Sequence, residues 1–302
     1  MNMSPRWGFS SFGVGGYNQV APAELRNGSS LAARTAALFQ RQWGQGEGEP
    51  RSSLNSAGLR LRSALVRIAA LIFWVMATPA FPADRISQLP TGYKLVYEQN
   101  FENPGARQGF VMTDPQVWRI TKKDGQSALE LTAQSNYQPD VRSPVNIALI
   151  ADKVFDDFVL EASLLQTSKE YGHRDMCLFF GFQNPTNFYY VHIASAADEH
   201  AHNIFIVKNA PRTKIARQTT KGVDWGQDVW HQVRLERKIA DGSIKVYFDD
   251  MTTPIMVAED KTFASGYIGF GSFDDTGMVR NIKVSGRSVG KKQADFFKRA
   301  GK

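Results

Sequence analysis

From Tyr93 onward, apolar and polar residues alternate in short runs separated by turn residues. Runs of this kind fall at 93–98, 117–120, 128–131, 146–150, 158–164, 176–182, 188–193, 204–207, 229–237, 244–248 and 267–270. Period-two alternation over runs this short is the mark of half-buried β-strands. Lys123-Asp124-Gly125 reads as a tight turn between two of them. Asp241-Gly242 reads as a hairpin, since Asp-Gly suits a type I′ turn. No 3.6-residue period runs for any length between 93 and 284, and only 294–299 predicts a short basic helix. Roughly a dozen short strands over about two hundred residues predict one all-β domain, an antiparallel two-sheet sandwich of jelly-roll type.

The N-terminal third differs in character. Residues 1–59 are rich in Gly, Ser, Arg and Gln and hold no sustained apolar period, so they read as a disordered or mis-assigned extension. Arg60, Arg62 and Arg67 then precede an apolar run at 68–77, and Thr78-Pro79-Ala80-Phe81-Pro82-Ala83 follows as a small-residue cleavage region. Sixteen uncharged residues between Arg67 and Asp84 are short for crossing about 30 Å of hydrocarbon. The segment 60–83 therefore reads as a secretory signal, with an uncleaved anchor or a buried helix as the competing readings. Cleavage would leave no stable membrane span; an uncleaved 68–83 would be one. N-terminal sequencing of the natural protein separates a mature start near Asp84 from a start at Met1. The expected location is periplasmic or extracellular.

Charge follows the same division. Residues 1–83 carry eight basic and three acidic residues, and 287–302 carry six basic residues and Asp295. The stretch 84–286 holds 22 basic and 25 acidic residues. The basic character belongs to the ends, so the folded part shows no electrostatic footprint for nucleic acid. The single cysteine, Cys177, excludes an internal disulfide and lies in an apolar run, where it reads as a small buried hydrophobe.

The pattern Trp230-His231-x-Val233, Gly242-x-Ile244-x-Val246-Tyr247-Phe248-Asp249-Asp250, Gly266-x-Ile268-Gly269 and Asn281-Ile282 resembles the concanavalin A-like lectin/glucanase superfamily. Within it, 176–193 is similar to a strand hairpin of secreted bacterial domains related to laminin G and to the 3-keto-disaccharide hydrolase group (domain of unknown function 1080). The resemblance spans about 93–285 and rests on fold motifs: turn glycines, core aromatics and alternation. It implies a concanavalin A-like sandwich over 84–286, a basic tail over 287–302, and carbohydrate as a frequent ligand. It implies no single activity, because such sandwiches host binders and enzymes alike.

Candidate chemistry is sparse. Glycoside hydrolysis needs two carboxyl groups about 5–9.5 Å apart, and the Glu-x-Asp-x-Glu motif of laminarinase-like members is absent. Phe-Asp-Asp occurs at 155–157, 248–250 and 273–275, but neighbouring strand residues point to opposite faces, so these read as turn acids. Asp274 and Asp275 are the candidate ligands for the structural calcium that the resemblance implies. Four of five histidines lie within thirty residues: His173, His192, His200 and His202. Alternation puts Phe188, Tyr190 and His192 on one face and the more apolar Tyr189, Val191 and Ile193 on the core face. An aromatic face beside polar donors suits a sugar, so the candidate ligand contacts are His173, Asp175, Tyr190, His192 and His202. Surface polars with ordinary packing are the plainer reading of the same residues. His200-Ala-His202 alone is a weak transition-metal signal. The expected function is an exported glycan-binding sandwich with its ligand on the concave face. Its rivals are a hydrolase of the keto-disaccharide type and an envelope interaction module without a small ligand, which leaves enzymatic activity open.

Overall fold

A computed structural model describes residues 89–297. The extension at 1–59, the signal-like segment at 60–83 and the last residues of the tail lie outside the described residues. The described chain is built from antiparallel strands. Strand β1 is Lys94–Gln99, β2 Phe110–Met112, β3 Trp118–Lys123, β4 Gln126–Leu131, β5 Asn146–Ile150, β6 Lys153–Val154, β7 Phe158–Gln166, β8 Asp175–Asn184 and β9 Asn187–Ala194. They are followed by β10 Asn203–Lys208, β11 Thr213–Lys214, β12 Ala216–Thr219, β13 Trp230–Lys238, β14 Ser243–Phe248, β15 Met256–Glu259, β16 Tyr267–Ser272, β17 Gly277–Gly286 and β18 Gly290–Lys291. A nine-stranded sheet runs β12-β15-β14-β13-β7-β17-β4-β3, with β1 paired to β17. A seven-stranded sheet runs β11-β10-β9-β8-β16-β5-β2, and β18 pairs with β6. This is the expected antiparallel two-sheet sandwich. Among the described residues no helix is long and apolar enough to cross a membrane.

Alternation sets the core. Phe158, Leu160, Ala162 and Leu164 of β7 share one cluster with Leu178 and Phe180 of β8 and Tyr189, Val191 and Ile193 of β9. Phe180 stacks on Tyr189 with ring centroids 5.0 Å apart. Each such side chain withdrawn from water contributes about 1.5–3 kcal/mol before chain entropy is counted. The Tyr189 hydroxyl is satisfied by donating to Asp260 and accepting from the Phe263 amide at 3.0 Å.

The other face of the seven-stranded sheet is also dry. Cys177, Phe179, Phe182, Phe188, Tyr190, Phe205 and Tyr267 form a second cluster there with Ala294. Phe182 joins it because the β8 register shifts between Phe180 and Asn184, at Gly181, which has φ +54. A Cβ on Gly266 would lie 2.3 Å from the Gly181 carbonyl carbon, so this irregularity brings two backbones together where no side chain fits. The C-terminal residues cover the cluster: Phe296 lies 5.4 Å from both the Phe182 and Tyr267 rings. Their expected helix is not formed over the described part of the tail. Residues 292–295 form neither helix nor strand and 296–297 form a turn, as Ala294 hydrogen-bonds to Ala151 and the paired phenylalanines seat on the sheet.

The two Asp-Gly turns differ. Asp124 and Gly125 both have positive φ (54° and 76°) and join Lys123 to Gln126, as a two-residue type I′ turn requires. At Asp241-Gly242 only Gly242 is positive (φ +79), and Lys238 pairs with Ser243. That hairpin closes with a four-residue loop, not with the expected type I′ turn.

Candidate functional site

One end of the seven-stranded sheet carries a buried polar cluster. Asp175 opens β8, Cys177 follows two residues later on the same face, and His192 of β9 lies directly across from Cys177. Ser272 ends β16, and the turn after it folds back over Asp175. The Asp175 carboxylate accepts from Ser272 Oγ at 2.8 Å and from the Phe273 amide at 3.0 Å. Cys177 Sγ donates to its Oδ2 at 3.1 Å. The Asp175 amide in turn donates to Asp275 Oδ2 at 2.9 Å, which also accepts from the Tyr171 hydroxyl at 2.8 Å. Ser272 ties the two acids together by accepting from the Asp275 amide at 2.8 Å.

His192 is fixed by its Nδ1, 3.1 Å from the His200 carbonyl oxygen. A carbonyl only accepts, so Nδ1 carries the proton. Nε2 points at Asp175 Oδ2 from 3.3 Å but is buried and makes no aligned hydrogen bond. Arg212 closes the cluster on the side of Phe205 and Phe273. Its guanidinium lies 4.2 Å from the Phe273 ring centre and 4.9 Å from that of Phe205, and it donates to the Tyr190 hydroxyl at 2.8 Å.

Electrostatics separate the three acids. Burial opposes ionisation of Asp175, but His192 and the donors Cys177 and Ser272 hold its pKa below the ordinary value. Burial and the neighbouring Asp175 charge raise Asp274, and the same two causes raise Asp275 to about 6. Burial and Asp175 push the Cys177 thiol well up.

The sequence-predicted residues divide. Asp175, His192, Asp274 and Asp275 converge, and Tyr190 joins them through Arg212. The face predicted for Tyr190 and His192 is correct, but the direct ligand contact predicted for them is not available. Tyr190 and Asp175 are fully buried and His192 is 3% exposed, because Arg212, Phe273 and the tail cover that face. His202 is also buried and internally paired: Nδ1 accepts from the Ala194 amide and Nε2 faces Thr220 Oγ1 at 2.9 Å. Burial lowers its pKa to about 4, so it stays neutral. His173 is exposed and pairs with Asp198 at 2.5 Å, outside the cluster.

Asp175, Asp274 and Asp275 each bring a carboxylate oxygen within 4.8 Å of the others. Calcium takes about six to eight oxygens. The cluster brings one oxygen from each of three carboxylates, which falls short of a calcium cage, and no calcium-dependent step is derived from it.

An open cleft of about 620 Å³ lies beside the covered face, lined by Thr113, Asp114, Pro115, Gln116, Asn136, Tyr137, Gln138 and Phe297. The Tyr137 and Phe297 rings meet edge to face, with centroids 5.3 Å apart and planes at 74°. Asp114 shapes it by accepting from the Gln116 and Asn136 amides at 3.1 and 3.3 Å. Gln116, Asn136 and Gln138 themselves are exposed. Burial and Asp140 push the Tyr137 hydroxyl up to about 12, so it remains a donor at neutral pH. Sequence reasoning missed this cleft; its signal was an aromatic residue inside the polar run Asn136-Tyr137-Gln138. A second groove, of about 380 Å³, runs past Tyr93, Asp157, Glu236, Lys245 and Arg287 and is lined by charges of both signs.

The architecture is an antiparallel two-sheet β-sandwich. No family model and no curated protein matches the chain. Among solved structures it is similar to the carbohydrate binding module CBM66 from Bacillus subtilis, at 16% identity and TM-score 0.43, covering 59% of this chain and 96% of that one. It is similar to peanut lectin at 14% identity and TM-score 0.42, covering 67% and 99%. A putative glycosyl hydrolase from Parabacteroides distasonis aligns at 14% identity and TM-score 0.41, covering 64% and 98%. These are likenesses of fold.

Proposed function

We propose that the protein is a carbohydrate-binding sandwich that seats a neutral sugar in the cleft between Tyr137, Phe297 and the amide side chains of Gln116, Asn136 and Gln138. The cleft carries the reading. It falls within the roughly 300–1,000 Å³ of small-ligand sites. It offers an aromatic surface for the C–H face of a pyranose and amide groups that both donate and accept toward hydroxyls. The covered positions Tyr190 and His192 do not line this cleft. Export belongs to the same reading and rests on the basic and apolar pattern at 60–83.

Calorimetric titration with a panel of neutral oligosaccharides tests it. Tyr137→Ala and Gln116→Ala are each expected to weaken binding at least tenfold. Gln116 is exposed, so its truncation should leave stability within about 0.5 kcal/mol. A wild type that binds no glycan at millimolar concentration, or variants that bind as the wild type does, would refute the assignment.

A further inference from the structure

We propose that Asp175, Cys177 and His192 form a site for one divalent transition-metal ion of the zinc class, on the covered face of the seven-stranded sheet. Three observations carry this. First, the ligand atoms converge. Cys177 Sγ lies 3.1 Å and His192 Nε2 3.3 Å from Asp175 Oδ2, and all three lie within 4.8 Å of one another. A tetrahedral ion with bonds of about 2.0–2.3 Å needs ligand separations of about 3.3–3.8 Å, close to this spacing.

Second, the imidazole is prepared as a ligand. Its Nδ1–H is spent on the His200 carbonyl, which leaves Nε2 as the ring nitrogen directed into the cluster. Metal-binding histidines are oriented in this way, by a backbone carbonyl on the far nitrogen. Nε2 is buried 3.3 Å from the Asp175 carboxylate and has no aligned hydrogen-bond partner, so its position is open to an ion that bonds both atoms.

Third, the charges balance. Binding displaces the Cys177 thiol proton and any proton on His192 Nε2, which leave the site for solvent as the contacts to Asp175 are replaced by metal bonds. Thiolate, carboxylate and neutral imidazole sum to −2 against a +2 ion, so the buried assembly is neutral. Asp274 and Asp275 lie within 4.8 Å of Asp175, and water would take the fourth position, because a second ionised carboxylate would leave the assembly at −1. The mixed N, O and S donor set suits a borderline ion better than calcium.

The test uses the full chain. Metal content is measured on protein purified without chelator. Cobalt(II) is then titrated into chelator-treated protein, both folded and refolded with the ion, because the ligands are closed to solvent. The expected result is one ion per chain, a thiolate-to-cobalt charge-transfer band in the near ultraviolet, and a raised melting temperature. The near-isosteric Cys177→Ser should abolish the band, and His192→Ala should weaken binding at least tenfold. A wild type that binds neither cobalt nor zinc stoichiometrically by either route, or a Cys177→Ser protein that keeps the band, overturns the proposal. Sugar binding in the Tyr137 cleft is a separate readout and does not depend on the outcome.

Discussion

Asp275→Asn should make the metal-free protein more stable at alkaline pH and change it little near pH 4. Asp275 is 7% exposed and shares Ser272 with the buried, ionised Asp175. Burial and that charge raise its pKa from 3.8 in the unfolded chain to about 6 in the fold. Between these values the folded chain holds a proton that the unfolded chain has released. Stability therefore falls as pH rises through this window, and the full penalty is present above it. Two pKa units correspond to about 3 kcal/mol. Asparagine removes the charge while its carbonyl oxygen still accepts from the Asp175 amide and the Tyr171 hydroxyl. At pH 8 the variant should gain up to about 3 kcal/mol, or roughly 6–12 °C for a domain of this size. The assay is urea unfolding of both proteins across pH 4–8 in chelator, since a bound cation would neutralise the same charges. A variant no more stable at pH 8, or a difference equal at pH 4 and pH 8, would refute the electrostatic account.

Two further substitutions probe the frame around the cluster. Gly271→Ala should cost more than about 4 kcal/mol or prevent folding, because its Cβ would sit 1.8 Å from the Asn146 carbonyl oxygen where β16 pairs with β5; a near-normal thermal melt by circular dichroism would contradict this packing. Arg212→Ala should cost about 2–3 kcal/mol in urea unfolding, since it removes two ring contacts and leaves the buried Tyr190 hydroxyl without its donor; a loss below about 0.5 kcal/mol would show that Arg212 is not what closes the cluster.

The part of the fold that was legible in the sequence is the part set by near neighbours. Alternation along 188–193 sorted six side chains correctly onto two faces, because a strand's periodicity is local. The acids of the Phe-Asp-Asp repeats were rightly read as turn residues: Asp249 accepts from the Gln232 amide and Asp157 from the Ile239 amide. What covers the outer face was not legible. Phe296 and Phe297 sit in a basic tail more than a hundred residues from Phe182, and nothing in either segment's pattern specifies the other. Gly181 shifts Phe182 onto that face, a parity change that strict alternation hides.

The candidate site follows the same rule. His192 was singled out as a polar residue on an outer strand face and Asp175 as a polar neighbour of His173, and both were read as open to a ligand. Their burial reverses the inference. An isolated sugar-contacting pair has no reason to be dry, since a buried carboxylate is costly unless hydrogen bonds and opposite charge compensate it. Asp175 has that compensation from Ser272, Phe273, Cys177 and His192. The fold has therefore committed four partners to keeping one carboxylate ionised out of water. This is the arrangement expected of a group that holds something fixed from within, and not of one that samples solutes at the surface. The ring and amides that can meet a sugar lie on the loop segments beside it, at Gln116 and Tyr137, where alternation gives no signal at all.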